Sequence, residues 1–342
     1  MVELESEKDD KLAHKFHMKA WDESIRHQDL LEIIDTERKY LGFGPMREQA
    51  YKTVFATIPD PIQDMVIIEN PNGKIIGFVS LHQSNFSKTL VIWDAMLPEY
   101  FQTTLPELII QQAISLGKRR NLPNLKYSTV GSLCKPIDDA LEKLGIIPQQ
   151  IALELHLSDF EGYKKNFSTP IALEGITFSK TNVIKDYEQF AFVCNEAFRD
   201  NFDYKELTVE GVKKGEIHNR ARGELEYDFA FRNSIGKEDE NDKNNTLIGF
   251  CEIIYDNTDS SGRINRLAVL PNVQHLGIGK TLITIAIQRF QQKGYMKGKI
   301  NVWVNDENKA ETKHKLNFFT QFGFKTQVDY TTRVYNLLSG KS

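Results

Sequence analysis

The sequence predicts an α/β protein built as two successive domains, each a mixed, mostly antiparallel sheet flanked by helices. Three observations carry this. Strand-like and helix-like segments alternate, with antiparallel stretches at either end of each half. Three short anchors recur in the same order and at nearly constant spacing. They are "IIGFVSL" (75–81) with "LIGFCEI" (247–253), "AMLP" (95–98) with "AVLP" (268–271), and "EKLGI" (142–146) with "TQFGF" (320–324). Finally, 342 residues suit two domains of ordinary size.

Each half reads alike, element by element. After an opening strand come helical segments, 22–39 and 46–57 in the first half, 184–199 and 208–217 in the second. A strand pair follows. In the first half "MVIIEN" and "KIIGFVSL" are joined by "PNGK", a good hairpin turn. In the second, "YDFAFRN" and "TLIGFCEIIY" are joined by the polar connector "SIGKEDENDKNN". Next comes a strand ending in Leu-Pro, "LVIWDAMLP" or "INRLAVLP", then a long helix with an apolar face, Leu105–Arg119 or Ile278–Gln292. A further strand, "LKYSTV" or "GKINVWV", a helix ending at Gly145 or Gly323, and a closing strand, "QIALELHL" or "DYTTRVYNLL", complete each half. The expected domains are 1–160 and 170–342, with a polar, turn-rich seam at 158–175.

Composition excludes several functions. Hydrophobic residues make up 40% and charged residues 26%, as in ordinary globular proteins, and the net charge of -4 gives no sign of a nucleic-acid binder. No apolar run approaches the ~20 residues of a membrane span, and the charged start "MVELESEKDDK" is not a signal peptide. The three cysteines, Cys134, Cys194 and Cys251, form no CxxC pair. That argues against a disulfide framework or a metal site and fits a reducing, cytoplasmic setting. Cys251 sits in an apolar run and reads as a buried, inert thiol.

The chemistry-bearing stretch is "AVLPNVQHLGIGKTLITIA" (268–286). Gly277 and Gly279 stand at a strand-to-helix joint, where glycine lets an anion approach the backbone closely. Free amides at a helix start, with the positive end of its dipole, suit a phosphate, and Lys280 can add a charge. A P-loop would need glycine where Gln274 stands, although Lys280 and Thr281 fit it and the next strand ends near Asp306. A dinucleotide-binding GxGxxG fails at Leu282.

The segment Gln274-His275-Leu276-Gly277-Ile278-Gly279 resembles the acetyl-CoA signature R/Q-x-x-G-x-G/A of the GNAT acetyltransferases, and the preceding "LAVLP" resembles that family's fourth strand. The resemblance covers 176–338 and extends in degenerate form over 16–157. It implies a tandem arrangement of two GNAT-like (acyl-CoA N-acyltransferase) domains, with acetyl-CoA as co-substrate and a small-molecule or peptide amine as acceptor. It leaves room for a homodimer. Leu267, Ala268 and Val269 match the strand that binds the pantetheine arm, and a backbone amide near Val269 would polarise the thioester carbonyl. Leu276 to Lys280 would supply pyrophosphate donors. Asn308, or alternatively Asn305, resembles the family's asparagine on the coenzyme arm.

The catalytic groups depart from the pattern. An amine with pKa ~10 must lose a proton before attack. Where the family often places Glu on the fourth strand, this chain has Arg263, Asn265 and Arg266. Glu252 on the neighbouring strand is the first candidate for the base, with Asp256 second. The family's proton-donating Tyr aligns with Phe319, which is expected to line the coenzyme site without donating, so Tyr335, Tyr330 or water is left to protonate the thiolate. His275 and His314 read as exposed. The first half has "EYFQTTLPE" in place of the glycine loop, and Glu99 and Glu107 would repel a pyrophosphate, so the first domain is expected not to bind coenzyme. The overall expectation is an N-acetyltransferase. A non-catalytic acyl-CoA-binding regulator and a P-loop NTPase are the alternatives.

Overall fold

The computed structural model describes residues 16–41, 44–46, 48–83, 89–130, 135–158, 160, 172–201, 204–233, 245–256, 261–304 and 309–338. In chain order the first elements are β1 (His17–Ala20), α1 (His27–Tyr40), α2 (Glu48–Phe55), α3 (Pro61–Asp64), β2 (Met65–Glu69), β3 (Ile75–Gln83) and β4 (Leu90–Met96). Then come α4 (Leu105–Arg119), β5 (Leu125–Val130), α5 (Lys135–Lys143) and β6 (Pro148–Leu157). The rest are β7 (Ile176–Thr181), α6 (Tyr187–Phe198), α7 (Val209–Arg222), β8 (Glu224–Arg232), β9 (Thr246–Asp256), β10 (Ser261–Val269), α8 (Ile278–Gln292), β11 (Lys297–Val304), α9 (Lys309–Thr320) and β12 (Lys325–Asn336).

Two compact units result, residues 1–151 with 329–342, and residues 152–328. The first has strand order β1-β2-β3-β4-β5-β12, the second β6-β11-β10-β9-β8-β7. β4 and β5 run parallel, as do β10 and β11. The pairs β1–β2, β2–β3, β3–β4, β5–β12, β7–β8, β8–β9 and β9–β10 run antiparallel. The sequence reading gave each closing strand to the half before it. In the structure they are exchanged: β12 pairs with β5 in the first unit, Thr332–Asn336 against Lys126–Val130, and β6 lies beside β11 in the second. Both fifth strands offer an edge to a closing strand, and local pattern alone does not say which closing strand takes which.

Helix patterning explains the packing. α1 buries Leu30, Ile33 and Ile34 on one stripe, with Asp29 at its positive end and Arg38 and Lys39 at its negative end. α4 buries Ile109, Ile110, Ala113 and Leu116 and accommodates Pro106 in its first turn, where no helical N–H is needed. In the second unit α6 is capped by Asp186, whose side chain accepts from the Gln189 amide, and α7 by Thr208, which accepts from the Gly211 amide. Phe190 of α6 stacks on Phe250 of β9 at 4.1 Å. On the other face α8 buries Leu282, Ile283, Ala286, Ile287 and Phe290. Arg289 of α8 is anchored to buried Asp228 of β8, Nε to Oδ2 at 2.8 Å, which fixes the helix along the sheet.

The recurrent glycine anchors have one cause in both units. Gly77 lies opposite Met96, and Gly249 opposite Val269. A methyl group on Gly77 would fall 3.0 Å from the Ala95 carbonyl oxygen, and one on Gly249 2.9 Å from that of Ala268. In each unit the next amide closes the strand end on its neighbour: Leu97 N donates to Ile76 O and Leu270 N to Ile248 O, both at 2.9 Å. The repeat therefore extends to main-chain bonding.

One polar cluster in the first unit has pH consequences. Tyr127 of β5 donates to Asp94 of β4 at 2.7 Å, and the Met96 amide donates to Glu37 of α1 at 3.2 Å. Burial pushes the Asp94 carboxyl up to about 6. Burial, then the nearby Asp94 charge, raises Glu37 well above the usual carboxylate range.

Gly77→Ala and Gly249→Ala should each destabilise by roughly 1–3 kcal/mol in urea unfolding, the usual cost of overpacking; neutrality at both would remove the steric reason for the repeat. Because the Asp94 carboxyl is raised on folding, its contribution is fully present below its unfolded pKa of ~4 and is lost as pH rises through about 6. Asp94→Asn should flatten the fall in urea midpoint over that window, and an unchanged profile would contradict the assignment.

Candidate functional site: the β10 gap and the glycine loop

β10 is held to β9 along its length but to β11 only at its start. Its register with β11 runs from Ser261–Lys297 to Ile264–Ile300 and goes no further among the described residues. At that point the β9–β10 register shifts between Ile264 and Arg266, leaving Asn265 as the extra residue of a bulge. Beyond it the strand parts from β11.

Alternation then decides which groups face the gap. Successive residues of an antiparallel strand bond to opposite sides. Leu270 N donates toward β9, so the main-chain groups of Val269 and Leu267 point the other way, into the gap. The Val269 carbonyl accepts from the exposed Gln274 side chain at 3.2 Å. Ala268, between them, is buried and bonded toward β9.

The chain leaves β10 through a single turn at Pro271–Val273 and reaches α8 in a tight loop. His275 and Gly277 both adopt positive φ, 65° and 91°. Gly277 is the residue before the helix, and its left-handed backbone explains why the sequence uses glycine there. The first helical bond is Thr281 N to Gly277 O at 2.9 Å. Among the described residues, no acceptor is found for the amides of Leu276, Gly277, Ile278 and Gly279, as expected for the open end of a helix. Leu276 is exposed, and His275 and His314 are exposed with rings 6.4 Å apart.

Gly279 joins three elements. A methyl there would stand 3.4 Å from Cζ of Phe318 on α9 and 3.8 Å from Cγ2 of Val269. Phe318 is therefore the aromatic residue beside the loop, and the sequence reading missed it. Phe319, the expected position, is buried against Phe318 and Phe324 instead. The two phenylalanines differ by one step around the helix, which alignment to a motif does not resolve. Asn305, Asp306 and Asn308 lie outside the described residues.

The face of the sheet under α6 and α7 carries a second polar group. Glu252 of β9 is 2% exposed, and both oxygens are engaged. Oε1 accepts from Asn219 of α7 at 3.0 Å, Oε2 accepts from Asn265 at 2.7 Å, and Arg266 Nε lies 3.4 Å from Oε2. Burial opposes the Arg266 charge, but Glu252 together with Cys194, Tyr227 and Tyr204 outweighs it, and the guanidinium's pKa is raised. Tyr227, fully buried nearby, has a hydroxyl with no hydrogen-bond partner among the described residues, and burial and then Glu252 push its pKa up. Cys194 and Cys251 are buried thiols raised by desolvation. The side chains of Asp256 and Tyr330 lie outside the described residues.

Tyr335 is not brought to the loop. It belongs to the first unit, is buried, and donates to Asp138 of α5 at 2.9 Å. Burial and Asp138 raise its pKa, making it a poor acid. The exchange of closing strands is the reason: "DYTTRVYNLL" carries Tyr335 to β5.

Residues 238–326 match the acetyltransferase (GNAT) domain model. No curated protein matches the sequence. Several solved structures share the fold. A GCN5-related N-acetyltransferase from Sphaerobacter thermophilus is 14% identical, over 94% of this chain and 95% of its own, with TM-score 0.63. A tandem GNAT protein from the clavulanic acid biosynthesis pathway is 11% identical, over 96% and 100%, also with TM-score 0.63. A glucosamine N-acetyltransferase region of a fungal multi-domain GH3 β-N-acetylglucosaminidase is 15% identical, over 96% of this chain and 39% of that one, with TM-score 0.60. Among the described residues no helix is long and apolar enough to cross a membrane. Residues 238–326 are thus similar to GNAT acetyltransferase domains, and the chain shares the fold of a tandem GNAT protein.

Proposed function

We propose that the second unit is an N-acetyltransferase moving an acetyl group from acetyl-CoA to a primary amine. The observation that carries this is the set of amides at 276–279, for which no acceptor is found among the described residues, beside the gap-facing groups of Leu267 and Val269. The diphosphate would accept from the loop amides, helped by the positive end of α8 and the Lys280 charge. The groups of Leu267 would hold the pantetheine arm. The Val269 amide would donate to the thioester oxygen as negative charge builds there. Phe318 and Leu276 would flank the coenzyme. The attacking amine forms the new C–N bond as the C–S bond breaks. The amine's proton passes to a base, for which Glu252 is proposed, and the thiolate takes a proton from water, since Tyr335 is committed to Asp138.

One observation favours a second reading. Both oxygens of Glu252 are already occupied, which suits a carboxylate holding the strand in place and so a non-catalytic acyl-CoA-binding regulator. The acceptor in the enzyme reading is an amine of a small molecule or peptide. The amino sugar named for the fungal region is a reason to include glucosamine in a test panel. Turnover with any amine of such a panel decides for the enzyme, whereas coenzyme binding without turnover decides for the regulator.

Gly279→Glu should abolish acetyl-CoA binding in isothermal titration while leaving the melting temperature nearly unchanged, because the new carboxylate occupies the diphosphate seat. Wild-type affinity in that variant, or ATP binding in preference to acetyl-CoA, would overturn the proposal. If Glu252 is the base, Glu252→Gln should lower kcat by about 10²–10⁴-fold, the usual range for general bases. A variant that keeps kcat and changes KM alone assigns Glu252 to holding the strand.

A further inference from the structure

The first unit repeats the gap, and its own side chains fill it. β4 pairs with β5 only at Leu90–Leu125 and Val91–Lys126 and then parts from it, as β10 parts from β11. The anchors "AMLP" and "AVLP" place Asp94 where Leu267 stands and Met96 where Val269 stands. Leu97 N donates to Ile76 O, so the Met96 amide faces away from β3 and into the gap, the orientation argued above for Val269. In the second unit no acceptor for the Val269 amide is found among the described residues. In the first, the Met96 amide donates to Glu37 Oε1 at 3.2 Å. Beside it the Asp94 carboxyl accepts from Tyr127 of β5, which ties the two diverging strands together at 2.7 Å.

We infer that Glu37 is an internal occupant of the first unit's acyl-arm seat: its carboxyl takes the fourth-strand amide that the thioester oxygen takes in the second unit, so the chain holds one coenzyme and not two. The inference rests on the reading of the Val269 amide given under Proposed function. Two features besides the hydrogen bond support it. The loop after Leu97 lacks glycine and carries Glu99, so no anion seat adjoins the filled gap. The occupant comes from α1, a helix whose buried stripe of Leu30, Ile33 and Ile34 holds Glu37 against the strand without help from a ligand. Glu37 thus keeps the splayed β4 main chain satisfied, where an unpaired buried amide would be costly.

Amide hydrogen exchange on the full chain tests the contact. In Glu37→Ala the Met96 amide should exchange at least about tenfold faster, while Leu97, bonded to Ile76, keeps its protection. Glu37→Gln, which keeps an acceptor oxygen, should retain most of the Met96 protection and guards against a folding defect in the alanine variant. Equal Met96 exchange in all three proteins overturns the inference. Calorimetric titration with acetyl-CoA tests the consequence: one equivalent per chain in the wild type, and none in Gly279→Glu. Two equivalents, or one surviving in Gly279→Glu, overturn the inference. Absence of coenzyme binding by the wild type overturns the function proposed for the second unit instead, and the exchange result then decides on Glu37 by itself.

Discussion

The parting of β10 from β11 after Ile264 is the constraint on which the second unit's arrangement depends. A sheet strand normally spends its main-chain groups on two neighbours. Here Asn265 bulges, the ladder to β11 stops, and the groups of Leu267 and Val269 are left facing a gap. The short turn at Pro271–Val273 then brings the amides of the α8 start, which find no acceptor among the described residues, next to the same gap. Apart from the Val269 carbonyl, which accepts from Gln274, no partner for these two sets is found among the described residues, and protein folds rarely leave such groups unsatisfied. The elements around them hold this geometry in place: the Arg289–Asp228 pair sets α8, and the close approach at Gly249 sets the separation of β9 and β10.

The polar group under α6 and α7 belongs to the same constraint. Asn265 is both the bulged residue and a donor to Glu252, and Glu252 also takes Asn219 and lies beside Arg266. This ties the bulge to α7 through a buried carboxylate. Removing one partner of a buried polar network leaves the others unsatisfied, at a cost of several kcal/mol in comparable cases. The first unit solves the same main-chain problem differently. There Glu37 and Tyr127 with Asp94 close the gap from within.

Much of this was legible in the sequence because it rests on local pattern. Gly277 and Gly279 at a strand–helix joint, the Leu-Pro that ends each fourth strand, and Gly77 with Gly249 report backbone demands that few other residues meet. What was not legible depends on partners distant in the chain. The closing strands are interchangeable by pattern, so their exchange, and with it the placement of Tyr335 beside Asp138, could be read only from pairing. Phe318 and Phe319 differ by helical phase alone. The engagement of Glu252 by Asn219 joins residues from two elements, and no motif spans them. Asp94 and Glu37 are ordinary carboxylates in the sequence. Only the alternation of β4 shows that one of them faces a strand amide.

The central claim is that the amides at 276–279 and the gap-facing groups of Leu267 and Val269 together form the seat of the coenzyme. A crystal structure of the chain grown with coenzyme A tests it most directly. The account predicts the diphosphate within hydrogen-bonding distance of the Ile278 and Gly279 amides, with the pantetheine arm along β10. A diphosphate bound elsewhere, or loop amides turned onto the protein's own carbonyls, would contradict it.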